Sequence, residues 1–330
     1  MSSDTTTPNS KPRLCWAHQI EPRPPELRWL VHSLWSAEAV GIIGGEPKSG
    51  KSLLSLQLAV SVASATPCLG RFSSTLSAPV LLHNGEDPPH DVRARLDAIC
   101  AAQGLALDKL PIAVLTPRFA LCLDRHTDQV ILRECLARVK PKLLVLDPFV
   151  RLHEGLNEND AADVSRILSF LRELQREHQL AIILVHHTRK QTSVRTRPGQ
   201  TLRGSSEFHA WGDSNLYLKR YAEKLYLSVE HRAAAAPDRL ALRLATTELG
   251  CTLVIDDSPN PPAANPTRLG ARDKLLTIFA DASQPLSLRE LQKLCRMRTL
   301  TITDAVSALL EEGTLVREKD GYRLRETINP

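Results

Sequence analysis

No apolar run in the 330 residues approaches the ~18 that a membrane-spanning helix requires, and the opening MSSDTTTPNSKPR lacks the apolar core of a secretory signal. The sequence therefore reads as a cytoplasmic protein with no membrane partner. Seven cysteines are scattered without a single C-x-x-C pair, which argues against a disulfide framework and a zinc ribbon and leaves reduced, buried thiols. Excess charge is slight: a net +5 permits a polyanionic partner without establishing one. There is no internal repeat, and with 42% hydrophobic and 24% charged residues neither a disordered nor a fibrous chain fits.

What is present has a two-part organisation. Residues 1–28 are rich in Pro, Ser and Thr and read as a flexible arm whose end, Trp29-Leu30-Val31, docks on the body. Over 29–256, apolar runs of four to six residues alternate with amphipathic stretches. This is the rhythm of an α/β fold with a mostly parallel sheet covered on both faces. Strands are expected at Val40–Gly44, Pro79–Asn84, Leu143–Asp147 and Ala181–His186. Helices are expected at Lys51–Ala65, Asp91–Gln103, Asp128–Val139 and Ala162–His178, with four short antiparallel strands between 215 and 255. Residues 257–270 carry four prolines and form a stiff linker. A second domain follows at 271–326, with a short tail at 327–330. Its three amphipathic segments and a hairpin across Lys319-Asp320-Gly321 make the winged-helix pattern.

The chemistry begins at Gly45-Glu46-Pro47-Lys48-Ser49-Gly50-Lys51-Ser52, which fits G-x-x-x-x-G-K-[ST] between a strand and a helix. Backbone N–H groups of such a turn cradle a triphosphate. The nucleotide-binding set is then Gly45, Pro47, Lys48, Ser49, Gly50, Lys51, Ser52 and Leu53, with Lys51 on the outer phosphates and the Ser52 hydroxyl on magnesium. ATP and Mg2+ are the implied cofactors. Asp147 ends an apolar strand, the place for a second magnesium ligand. On its own, an Asp at a strand exit is common. Hydrolysis needs a base, and Glu86 follows another strand at the same edge. The alternative for Glu86 is an acid at the start of a helix. Of His186 and His187, one is expected to pack and the other, His187, to sense the γ-phosphate. A histidine with no such duty is the alternative.

Taken together, GEPKSGKS, NGEDPPHDVRARL, LLVLDPFVRLHEGLNEND, ILVHHTRK and TLRGSSEFHAWGDS resemble the RecA-type P-loop ATPases of the RepA class, plasmid-type hexameric helicases related to DnaB. The resemblance covers roughly 29–256. It implies Lys51 and Ser52 at the phosphates, Asp147 at magnesium, Glu86 as base and His187 as sensor. It also implies a homo-oligomer, a hexamer, in which a neighbour completes each site. The arginine that RepA-type proteins carry a few residues after Arg-Gly-Ser-Ser is absent from His209-Ala210-Trp211-Gly212-Asp213. Glu230-His231-Arg232 is similar to the basic triplet of DnaB-like relatives, so Arg232 is the candidate trans-acting arginine, with Arg203 and Arg220 in reserve. A solvated strand-end arginine is the other reading.

Between His187 and Gly204 the chain carries Arg189, Lys190, Arg195, Arg197 and Arg203 and no acidic residue. By position this resembles the channel loop of RecA-like rings, where single-stranded DNA is held by its phosphates. With no aromatic to stack on bases, the expected contact is independent of sequence. In the second domain Arg296 and Arg298, at the start of the third helix, and Lys319, in the wing, are placed for duplex DNA. A protein-docking module remains open there. Two functions follow: a DNA-dependent ATPase acting as a helicase or translocase in replication of a plasmid or mobile element, or an ATP-switched DNA-binding regulator without unwinding activity.

Overall fold

The computed structural model describes residues 15–22, 24, 28–116, 121–155, 160–187, 205–221, 224–248, 250–257, 271–280, 282, 284–295, 299–318 and 321–324. The chain divides into two compact units, Met1–Asp256 and Asp257–Pro330. Among the described residues no helix is long and apolar enough to cross a membrane.

The first unit opens with a small ribbon, β1 (Trp29–Val31) and β2 (Trp35–Ser36). The main body then alternates. It runs β3 (Val40–Gly45), α1 (Lys51–Ser64), β4 (Val80–Asn84), α2 (Pro89–Ala102), β5 (Ile112–Leu115), α3 (His126–Val139), β6 (Leu143–Asp147), α4 (Ala161–His178) and β7 (Ala181–His187). After α5 (Ser205–Trp211) come β8 (Ser214–Tyr221), β9 (Lys224–His231), β10 (Leu240–Thr247) and β11 (Gly250–Ile255). One sheet collects nine of these strands in the order β11-β10-β9-β8-β3-β7-β6-β4-β5. β8, β3, β7, β6, β4 and β5 run parallel, while β9, β10 and β11 are antiparallel additions. The fold is thus an α/β RecA-like P-loop core with a mostly parallel sheet, as the sequence pattern implies.

The unbroken apolar runs of the central strands are resolved by the two-residue period of a strand, which sends successive side chains to opposite faces. Ile43, Val145, Ile183 and Val185 join the core under α1 and α2. Ile42, Leu144, Leu146, Ile182 and Leu184 join the core under α3, α4 and α5. α1 is buried almost all round, and Gln57 in its middle is satisfied inside the core. Its amide donates to Thr252 Oγ1 (3.0 Å) and the Leu253 carbonyl (2.8 Å) and accepts from Leu253 N–H (3.0 Å), tying α1 to β11.

The second unit has α6 (Ala271–Ala280), α7 (Leu288–Cys295) and α8 (Thr299–Glu311), then the hairpin β12 (Leu315–Glu318) and β13 (Gly321–Leu324). Leu275, Phe279, Leu291, Ile302, Val306, Leu309 and Leu315 form its own core. α7 starts on a reciprocal cap, Ser287 Oγ with the Glu290 N–H (3.3 Å) and the Glu290 carboxylate with the Ser287 N–H (2.8 Å).

Candidate nucleotide site

The phosphate turn leaves the carboxyl end of β3, the middle of the parallel array, and runs straight into α1. Gly50 sits at φ +90°, a left-handed conformation that side chains resist, so the chain can reverse there and present α1's first N–H groups outward. No acidic side chain occupies the first turn of α1. That helix end therefore presents a positive field that no acidic side chain of its first turn offsets.

A cavity of ≈ 500 Å³ lies against it, lined by Lys48, Ser49, Gly50, Lys51, Ser52 and Leu53 of the turn together with Glu86, Asp147 and His187. The strand register explains the gathering. Asn84 pairs with Asp147 and Gly45 with His187, so residues far apart in sequence end at one level. Gly45 ends β3 and Pro47 is an exposed residue of the turn. The two histidines part as strand alternation demands. His187 lines the cavity, while His186 is buried on the other face, stacked on Phe208 with ring centres 4.3 Å apart and edge-on to Phe149.

The electrostatics mark a place prepared for charge. Lys51 is 4% exposed, and its ammonium turns back to donate to the Glu46 carbonyl (2.8 Å). Burial pushes its pKa down to about 8, against the pull of the Asp147 and Glu86 carboxylates. Asp147 is pushed up to about 6, chiefly by burial, with the Ser52 hydroxyl bond and Lys51 opposing and Asp87 and Glu86 adding to the rise. The buried Ser49 Oγ has no hydrogen-bond partner. An orphaned hydroxyl, a retracted lysine and a hydroxyl–carboxylate pair between Ser52 and Asp147 are donors and acceptors that a magnesium triphosphate would meet. The residues fit that group.

Behind Glu86 lies a network that motif reading passed over. Asn84 Oδ1 accepts from the N–H groups of Glu86 (3.1 Å) and Asp87 (2.9 Å), and Arg95 grips Asp87 through two bonds (2.6 and 3.0 Å). The spacing Asp87-x7-Arg95 is visible in the sequence, but only α2 brings the two together. Arg95, Asp87 and Cys251 also line the cavity.

A family model described as an AAA domain, AAA_25, matches residues 6–193. The chain belongs to the AAA_25 family. It is a P-loop ATPase, and the turn with Lys51, Ser52 and Asp147 all fall within the matched span. Among solved structures, the chain is similar to a KaiC-like protein from the archaeon Pyrococcus horikoshii, at 15% identity and a TM-score of 0.45 over 68% of this chain and 93% of that one. It is also similar to a DnaB-like replicative helicase whose structure addresses its interactions with primase, at 15% identity and a TM-score of 0.48. That match covers 66% of this chain and 57% of the helicase.

Arg232 lies outside the span matched by the AAA model and away from the cavity. Ser214 pairs with His231 at the start of β8, so Arg232 stands at the amino end of the parallel strands, opposite the phosphate turn of its own chain. It bonds to Asp213 (3.1 Å) and to the Ala210 carbonyl. Arg220 is an exposed residue of β8. Arg189, Lys190, Arg195, Arg197, Arg203, Arg296, Arg298 and Lys319 fall outside the described residues.

Proposed function

We propose that the protein is an oligomeric DNA-dependent ATPase, a RepA-like helicase or translocase serving replication of a plasmid or mobile element. The observation that carries the ATPase half is the convergence of Lys51, Ser52, Glu86, Asp147 and His187 on one cavity at the head of α1. Magnesium, held by Ser52 and Asp147, would neutralise charge on the β- and γ-phosphates. The chain's own residues do the rest. Turn N–H groups and Lys51 bind and orient the phosphates. Glu86 takes a proton from the attacking water as its oxygen bonds to the γ-phosphorus and the bridging P–O bond breaks. His187, at the end of β7, is set to report the γ-phosphate.

The DNA half is supported by the run of five basic residues without an acidic one from Arg189 to Arg203. Three helices followed by a hairpin support a winged helix in the second unit, with Arg296, Arg298 and Lys319 on duplex DNA. Arg232, unable to reach its own chain's cavity from the opposite edge of the sheet, would act on a neighbour's nucleotide in a ring, a hexamer on the RepA pattern.

ATP hydrolysis measured with and without single-stranded DNA, beside strand displacement on a forked duplex, tests the reading. Stimulation by DNA and unwinding are expected. Stimulation by duplex without unwinding would favour the ATP-switched regulator, and indifference to any DNA would remove the DNA half.

A further inference from the structure

Arg151 falls within the LLVLDPFVRLHEGLNEND segment without a role assigned to it there, yet the structure gives its side chain a prepared path. It closes a short 3-10 turn, Phe149–Arg151, that follows the magnesium strand β6 through Pro148. The turn is anchored from below. Phe149 is fully buried against His153, His186 and Phe208. From that fixed base the Arg151 side chain crosses over Gly85. A Cβ added at Gly85 would stand 2.8 Å from Arg151 Cβ, closer than such atoms approach. Gly85 is therefore small where Arg151 must pass. Beyond it, Arg151 Nε lies 3.4 Å from a carboxylate oxygen of Glu86.

Glu86 itself is held unevenly. Its backbone N–H is clamped by Asn84, whereas its side chain is 44% exposed and meets Arg151 at the carboxylate. Two further carboxylates stand nearby. Asp87 and Glu86 both act on Asp147 as like charges, and repulsion of that kind drives an unrestrained Glu86 outward.

We propose that Arg151 is a positioning residue that holds the Glu86 carboxylate over the nucleotide cavity, through a path kept open by Gly85. The proposal rests on Glu86 being the group that accepts the water's proton. Arg151 offsets the repulsion among Glu86, Asp87 and Asp147 and limits the carboxylate's swing. A misplacement of about 1 Å in such a group is enough to cost on the order of 100-fold in rate.

Single-turnover ATP hydrolysis and ATP affinity, measured on the full chain, test this with four variants. Arg151→Met should lower the hydrolysis rate on the order of 10- to 100-fold with ATP affinity unchanged, and Arg151→Lys should recover part of the loss. Gly85→Ala, which alters neither charge but obstructs the path, should act in the same direction. In an Glu86→Gln background, Arg151→Met should add nothing. An equal further loss in that background, weaker ATP binding by Arg151→Met, or faster hydrolysis would each overturn the proposal. If Glu86→Gln alone hydrolyses at the wild-type rate, it is the assignment of Glu86 that falls, a result distinct from any of these.

Discussion

The two ends of the parallel strands in the first unit are both rich in charge, and they treat it in opposite ways. At the amino end, Asp213 accepts from Arg172 (2.5 and 3.3 Å), pairs with Arg232 and receives the Val40 N–H (3.3 Å), while Arg172 also bonds the Trp211 carbonyl (2.5 Å). His231 is fixed between Ser214 Oγ (3.0 Å) and the Ser33 carbonyl (3.1 Å). At the carboxyl end the Ser49 hydroxyl is orphaned, Lys51 folds onto its own turn, and Lys51 and Asp147 are displaced by burial to about 8 and about 6. Polar groups satisfied by their own chain stiffen a fold, whereas polar groups kept short of partners are held ready for a ligand.

The contrast can be broken most forcefully at Lys51. Lys51→Ala should cut ATP turnover on the order of 10² to 10³-fold in a steady-state assay while leaving the thermal transition near that of wild type. Asp213→Ala should do the reverse. By leaving Arg172 without its carboxylate it should cost about 2–3 kcal/mol in a denaturant titration, with ATP affinity unchanged.

Next in size is a pH effect. Burial raises Asp147 above its unfolded value, so its contribution to the stability of the nucleotide-free protein is present below about pH 4 and lost as pH rises through about 6. Asp147→Asn should therefore melt higher than wild type at pH 8, by at most about 3 kcal/mol, and the gap should close toward pH 4. The smallest change expected is His187→Ala, which should slow hydrolysis about tenfold yet shift stability within about 0.5 kcal/mol, because His187 sits at the cavity and its neighbour His186 supplies the packing.

Much of this was legible in the sequence, for identifiable reasons. The four strands from Val40, Val80, Leu143 and Ala181 are built on apolar runs, and α4 keeps a three-and-four apolar spacing, so these elements emerged within two residues of expectation. α2 begins at Pro89, two residues before Asp91, since a first helical residue needs no N–H. β5 escaped because Ile112–Leu115 is a half-exposed edge strand of four residues, and α5 because Ser205–Trp211 is two turns long. The phosphate turn, Asp147 and Glu86 announce themselves by residue type at strand ends. Arg151 and the Asp87–Arg95 pair do not: an arginine beyond a turn has no local signature, and only the register of β4 beside β6 brings it to Glu86.

The most direct test of the central claim, that a magnesium triphosphate binds on the turn bearing Lys51, is equilibrium binding of a fluorescent ATP analogue to the purified full chain, with and without magnesium. Saturable, magnesium-dependent binding that Lys51→Ala abolishes is the predicted result. Failure of the wild-type chain to bind, or equal binding by Lys51→Ala, would contradict it.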